Sequence, residues 1–136
     1  MAKIPEKAQE LFEAAFTVEF ATVNAEGQPN ICYVGQKKII DDETIYLSDQ
    51  FFKKTLANIQ ANPKVALIWM GEGGGYVVHG TARYVNEGPE FEEQAAWVNA
   101  AFEANGAPIR AKGGVYVAVD AVYDTMPGPS AGDRIA

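Results

Sequence analysis

Tyr46-Leu47-Ser48-Asp49, followed by Lys53-Lys54-Thr55-Leu56-Ala57-Asn58-Ile59 and then Asn62-Pro63-Lys64-Val65-Ala66, decides how this chain is folded. Thr44 to Leu47 has the β-branched and aromatic character of a strand. Ser48-Asp49 offers N-cap chemistry, and Phe52, Leu56 and Ile59 then repeat at a helical period until Asn62-Pro63 stops the helix. Val65 to Met70 is a near-continuous apolar strand. Within this strand–helix–strand unit, Lys53 and Lys54 fall in the first helical turn, where cations oppose the helix dipole. A local rule broken in this way calls for a compensation or a function. The function would be an anion site, with two ammonium groups, the Thr55 hydroxyl and free backbone N–H groups converging on a phosphate. The compensation would be an ion pair, since Asp49 and Lys53 stand i, i+4 in the favourable order; Lys54 has no such acidic partner. Thr55 lies beside the stripe of Phe52 and Ile59, which aims it toward the sheet edge.

Upstream, Lys7 to Phe16 places Ala8, Leu11, Phe12 and Ala15 on one helix face, and Pro5 sits where that helix can begin. Thr17 to Asn24 reads as a strand, Ala25-Glu26-Gly27 as a turn, Asn30 to Ile40 as a second strand, and Asp41-Asp42-Glu43 as the turn into Thr44 to Leu47. Downstream, Gly71 to Gly75 turns the apolar strand into Tyr76 to Asn86. Gly88-Pro89 opens a helix with Glu90, Glu92 and Glu93 in its first turn and Phe91, Ala95, Val98 and Phe102 on its apolar face; Asn105-Gly106 ends it. Gly114 to Tyr123 is the last strand, and the tail from Met126 is too rich in Pro and Gly for regular structure. About six strands and three helices, joined mostly by short turns, point to a mainly β chain: a closed or nearly closed antiparallel barrel with helices outside it, forming one domain over residues 1–136 with an irregular tail at 126–136.

Composition narrows the function classes. The chain has 136 residues, 48% of them hydrophobic and 21% charged, so it can build a substantial core. Eleven basic and 18 acidic residues leave a net charge of −7. A field of that sign argues against nucleic-acid partners and against anionic membranes. One Cys and one His exclude an internal disulfide and the usual zinc sites. No apolar run approaches the roughly 20 residues that span a bilayer, and the N-terminal residues lack a signal-like apolar stretch, so a cytoplasmic location is expected.

No side-chain set makes a self-sufficient catalyst. Gly71 to Gly75 fails as a phosphate loop because Tyr76 stands where the last Gly of the motif belongs and a strand follows. His79 is expected to be solvated or at an interface, with nothing nearby in sequence to orient it. Cys32 is expected to act as a buried small hydrophobe, and Trp69 and Trp97 as core or interface residues. A phosphate clamp without a nucleophile suggests a phosphorylated cofactor that carries the reactivity itself.

At this point the chain resembles the pyridoxamine 5′-phosphate oxidase-like flavoproteins, the split-barrel flavin-binding fold, and more narrowly their small FMN-binding members. The resemblance runs from about Phe16 to Tyr123. It rests on the opening stretch, on Phe20-Ala21-Thr22-Val23-Asn24 with Glu26-Gly27-Gln28-Pro29-Asn30, and on His79-Gly80-Thr81-Ala82-Arg83-Tyr84 with Gly88-Pro89-Glu90-Phe91. It implies a six-stranded split β-barrel with about three outer helices. It also implies an FMN phosphate held at Lys53, Lys54 and Thr55, and an isoalloxazine ring lying along Ile31, Cys32, Tyr33 and Val34 and against Ser48 and Asp49. A homodimer with flavin at its interface is implied as well, with the tail at 126–136 covering flavin or partner. The expected function is electron transfer or a small flavin-dependent oxidoreductase served by a redox partner protein or a nicotinamide donor. A flavin-binding sensor without turnover and a deazaflavin-dependent reductase are the alternatives; relatives of this fold also bind haem. The Arg- and His-bearing C-terminal segment of a genuine pyridoxamine phosphate oxidase has no match in Gly132-Asp133-Arg134-Ile135-Ala136, so vitamin B6 oxidation is not expected.

Overall fold

The computed structural model describes residues 1–136. Its elements run in the order α1 (Glu6–Ala14), β1 (Val18–Val23), β2 (Pro29–Val34), β3 (Lys37–Asp41), β4 (Thr44–Asp49), α2 (Lys54–Ala61), β5 (Lys64–Gly71), β6 (Gly74–Val85), α3 (Pro89–Ala104) and β7 (Gly113–Asp124). All seven strands form one antiparallel sheet, in the order β2-β1-β5-β6-β7-β4-β3.

The expected strand from Asn30 to Ile40 is two strands, which makes seven rather than six. Gly35-Gln36 interrupts it, and the halves take different partners: β2 pairs with β1, and β3 pairs with β4. Those partners lie near opposite ends of the sheet order, so the chain passes directly from one edge of the sheet to the other. Three Cα–Cα steps from Val34 to Lys37 reach at most about 11 Å. The two edges must therefore meet there, and the sheet curls into a split barrel. The Gln36 carbonyl accepts the Ser48 N–H at 2.9 Å and continues the β3–β4 ladder to the crossing point.

Inward residues alternate along the strands as the pleat requires. Val18 and Phe20 of β1, Leu67 and Trp69 of β5, and Val115 and Val117 of β7 are fully enclosed in the barrel. The helix α1 packs on β5, β6 and β3, with Ala8 and Phe12 inward. Phe12 meets Trp69 edge-on at 5.1 Å, and the Trp69 indole N–H donates to the Ala8 carbonyl at 2.9 Å. No basic residue stands in the last turn of α1; Lys37 of β3 donates to the Phe12 carbonyl at 2.7 Å instead. The helix ends at Ala14 rather than Phe16, and Phe16 stands in solvent.

At His79–Gly80 the β6–β7 register slips by one residue. A Cβ on Gly80 would come within 2.4 Å of Val117 Cγ1 and 2.8 Å of the Ala118 carbonyl oxygen, so only glycine admits this close crossing. The helix α3 lies outside the barrel on β4 and β7, and buries Gln94, Ala95 and Val98. Phe91 and Phe102, expected on its apolar face, are half-buried.

The tail returns along β7. Ile135 N–H donates to the Val122 carbonyl at 2.8 Å, Gly132 N–H to the Asp124 carbonyl at 2.7 Å, and Tyr123 and Arg134 form a single β-bridge. Asp124 accepts the Met126 N–H and the Ser130 hydroxyl, both at 2.8 Å, and these bonds hold its carboxyl below the usual range. No helix is long and apolar enough to cross a membrane.

Candidate functional site

The helix α2 begins later than its capping signal suggests. Ser48 and Asp49 lie inside β4, paired with Gly114 and Gly113 of β7, and Lys53 occupies the N-cap position. The strand ladder claims the Ser48 and Asp49 backbone, and the Asp49 carboxylate accepts the N–H of Phe52, three residues on and still short of the helix, so ladder pairing moves the cap-like bond ahead of α2. No side chain caps α2. Lys54 is its first residue, and both Lys53 and Lys54 are exposed.

The proposed compensation for Lys53 does not form. Asp49 is completely enclosed, and its cationic neighbour is Lys112, at 3.7 Å, instead of Lys53. Neither Lys53 nor Lys54 takes part in an ion pair; the three salt bridges are Lys64–Asp120, Arg83–Glu90 and Lys112–Asp49. Two unneutralised ammonium groups thus stand at an uncapped helix start, the place where backbone N–H groups and the helix dipole favour an anion.

Thr55 is buried and turned toward β2, as its position beside the apolar stripe foretold. Its hydroxyl donates to Cys32 Sγ at 3.5 Å and accepts from Asn30 Nδ2 at 3.4 Å. Its side chain ties α2 to the edge strand, and only the two lysines present free charge. Cys32 is half-buried rather than fully enclosed. Burial pushes its thiol pKa up, the Thr55 hydrogen bond opposes this and Asp49 adds to it, so the thiol stays protonated at neutral pH.

Cys32, Tyr33, Val34 and Ser48 come together with Phe51 and Phe52 around a cleft of about 230 Å³ between β2 and the turn that leads into α2. Alternation along β2 puts the exposed Ile31 and Tyr33 side chains on the other face from Cys32 and Val34; Tyr33 still borders the cleft and Ile31 does not. The Ser48 hydroxyl donates to Gln50 Oε1 at 2.5 Å.

Asp49 organises the floor of this region. Its Oδ1 accepts the Phe52 N–H at 2.8 Å and its Oδ2 accepts the Tyr84 hydroxyl at 2.6 Å. Lys112 Nζ donates to the Phe52 carbonyl at 2.8 Å, and the Lys112 N–H to the Asp49 carbonyl at 2.9 Å. Gly113 makes the Tyr84 bond possible, since a Cβ there would lie 2.0 Å from the Tyr84 hydroxyl oxygen. Tyr46 stands beside it over Gly114, with a buried hydroxyl that has no hydrogen-bond partner. Burial, helped by Tyr116 and Asp49, pushes the Tyr46 phenol up to about 12; burial and the Asp49 hydrogen bond raise Tyr84 as well. Tyr84, Lys112 and Gly113 carry no local signal in the sequence; only strand pairing brings them to Asp49.

A larger hollow, about 490 Å³, lies on the outer face of the sheet and is lined by Ala21, Pro29, Lys64, Ala66, His79 and Asp120 among others. Its charges are spent on one another: Lys64 and Thr81 both reach Asp120 Oδ2, at 3.6 and 2.9 Å. His79 is exposed at its margin, with its ring 4.7 Å from that of Tyr123. Gly71 and Gly74 pair across the β5–β6 hairpin, so the glycine-rich run is a turn. Trp69 is core, and Trp97 is half-buried with its indole N–H on Gln94 Oε1 at 2.7 Å.

The family model for pyridoxamine 5′-phosphate oxidase matches residues 4–126. The chain belongs to the pyridoxamine 5′-phosphate oxidase family. An uncharacterized protein of Methanocaldococcus jannaschii is 35% identical over 122 residues, covering 88% of this chain and 79% of its own length. Among solved structures, HupZ of Group A Streptococcus is similar, with a TM-score of 0.78 and 27% identity over 95% of this chain and 99% of that one. An FMN-binding protein from Syntrophomonas wolfei shares the fold, with a TM-score of 0.75 and 20% identity over 89% of this chain and 85% of that one. Most of this family member's length, α1 through β7, is therefore the family's own architecture, and Lys53-Lys54 and the β2 cleft lie within the matched span.

Proposed function

We propose that the chain is an FMN-binding flavoprotein that acts as a homodimer in electron transfer or as a small flavin-dependent oxidoreductase. The observation that carries this is the pair of unneutralised ammonium groups, Lys53 and Lys54, at the uncapped start of α2 beside the β2 cleft. The residues fit the group. A flavin phosphate would be held by the two lysines and the first N–H groups of α2, and the ring would lie against Cys32, Val34 and the Ser48–Phe52 segment. FMN supplies the redox chemistry when bound. The protein supplies the phosphate site and the apolar wall of Val34, Phe51 and Phe52; the protonated Cys32 thiol offers no competing nucleophile.

Two features support a second copy. The cleft of about 230 Å³ is smaller than the roughly 300–1,000 Å³ of typical ligand pockets, so one chain encloses too little of a ring system. Ile31, Tyr33 and Met70 are 62%, 75% and 64% exposed, and Ala21, Ala66 and Ile68 lie between β2 and Met70 on the same outer face, interrupted by Glu19 between Tyr33 and Ile68; Phe51, in the turn after β4, is 74% exposed. A largely apolar face of that kind, with one carboxylate in it, supports an interaction surface.

The deciding experiment is an absorbance spectrum of the purified protein with the released ligand identified by mass, alongside titration of FMN into Lys54→Ala. An FMN mass and a loss of about 1.5–3 kcal/mol of FMN affinity in the variant are expected, the scale of a charge-assisted hydrogen bond. A deazaflavin mass would move the activity to hydride transfer at the same site. Unchanged affinity in Lys54→Ala would sink the phosphate assignment. Reduction of the bound flavin by NADH, NADPH or a redox partner separates an oxidoreductase from a flavin-binding protein without turnover.

A further inference from the structure

The turn that carries Lys53 and Lys54 is held from beneath by groups that do not face the cleft. Phe52, the residue before Lys53, is gripped at both backbone atoms: its N–H by the Asp49 carboxylate at 2.8 Å and its carbonyl by Lys112 Nζ at 2.8 Å. Its ring packs toward Phe20 at 6.1 Å, so the residue is fixed at three points. Asp49 is fixed in turn by the Tyr84 hydroxyl at 2.6 Å, which approaches over Gly113. The clamp also solves an electrostatic problem. Asp49 is an enclosed carboxylate immediately behind a turn that presents cations, and its negative charge opposes any anion brought there. Lys112, 3.7 Å away, and the Tyr84 hydrogen bond offset that charge.

We infer that Asp49, Tyr84 and Lys112 are positioning residues that set the affinity for a phosphate-bearing ligand at Lys53-Lys54 by fixing Phe52 and screening the buried carboxylate. The inference rests on the FMN reading of the site. It assigns the Asp49 side chain a role through the turn, because its carboxylate is enclosed and fully engaged.

The test compares FMN with riboflavin, which has the same ring and no phosphate, by fluorescence titration of the purified protein. Three variants are used: Tyr84→Phe, Lys112→Gln and Lys54→Ala. Lys112 is 46% exposed, so its replacement leaves the core intact even if Tyr84→Phe folds poorly. Tyr84→Phe and Lys112→Gln are each expected to weaken FMN on the order of tenfold, the loss of about one hydrogen bond at the phosphate, and riboflavin by a clearly smaller factor of about two to three, since Phe52 also borders the ring cleft. A general loosening of the fold would lower both ligands together. Equal losses for FMN and riboflavin, or no loss for either, in Tyr84→Phe and Lys112→Gln overturn the clamp while a phosphate-selective loss in Lys54→Ala leaves the function standing. No selective loss in Lys54→Ala overturns the FMN reading and the clamp with it.

Discussion

Two neighbouring tyrosines should respond oppositely to the same deletion. Tyr84 donates its hydroxyl to Asp49 Oδ2 at 2.6 Å, and that carboxylate has no solvent exposure. Tyr46, over the next glycine, buries a hydroxyl with no partner. Removing a hydrogen bond to a buried charge costs about 1.5–3 kcal/mol, whereas removing an orphaned hydroxyl relieves a desolvation penalty of about 1 kcal/mol or more. Tyr84→Phe should therefore lower Tm by about 3–12 °C, taking about 2–4 °C per kcal/mol for a chain of this size. Tyr46→Phe should leave Tm unchanged or raise it. Urea unfolding followed by tryptophan fluorescence gives the same comparison at constant temperature, since Trp69 sits in the core and Trp97 is half-buried on α3. The pH dependence supplies a second check. Both phenols are raised above the ordinary value of 10.0, so the folded state holds these protons more tightly than the unfolded state. Their contribution is complete below pH 10 and is lost as pH rises from there through about 12, where Tyr46 titrates when folded. Lys37 runs the other way, because burial lowers its pKa below 10.5 and stability from that group rises as pH approaches this value. The informative quantity is therefore the difference between wild type and the Tyr46→Phe/Tyr84→Phe double variant, in which the alkaline loss should shrink. If Tyr46→Phe destabilises as much as Tyr84→Phe, or if the double variant keeps the full alkaline loss, the account of the Asp49 cluster is wrong.

Phe12→Ala should cost about 3–5 kcal/mol, because the ring is fully buried edge-on to Trp69; urea unfolding would show it, and a loss below 1 kcal/mol would mean that α1 does not hold the barrel. Gly80→Ala should cost about 1–3 kcal/mol through the contact of its Cβ with Val117 and the Ala118 carbonyl, and an alanine variant as stable as wild type would show that the β6–β7 slip leaves more room than the structure gives it.

Local chemistry announced those elements whose ends are made by local chemistry. Gly88-Pro89 and Asn105-Gly106 bracket α3, Asn62-Pro63 closes α2, and the glycine-rich run between Met70 and Tyr76 turns a hairpin. The break at Gly35-Gln36 was hidden because Ile39 and Ile40 have the same strand propensity as Ile31 and Val34; what separates them is the choice of partner, β1 for one half and β4 for the other. Ser48-Asp49 looked like a cap for the same reason. Its backbone is claimed by Gly114 and Gly113, more than sixty positions along the chain, and no local window contains them. At the candidate site, Lys53 and Lys54 were visible as charges that defy the helix dipole, while the groups beneath them were not, because Tyr84 and Lys112 reach Asp49 only after β6, β7 and β4 have paired.

That long-range origin has a consequence for how an acidic protein can hold an anion at all. With a net charge of −7, the mean field repels a phosphate, so any attraction for one has to be local and to come from cations that stay unspent. Had α2 begun at Ser48-Asp49, Asp49 would have stood one helical turn from Lys53 and neutralised it. Drawing Asp49 into β4 turns its carboxylate inward, away from the lysines, and gives it to Lys112 and Tyr84. The late start of α2 is thus the same event as the freeing of Lys53, and the strand pairing that misplaces the helix cap is what leaves two positive charges available at its N-terminus.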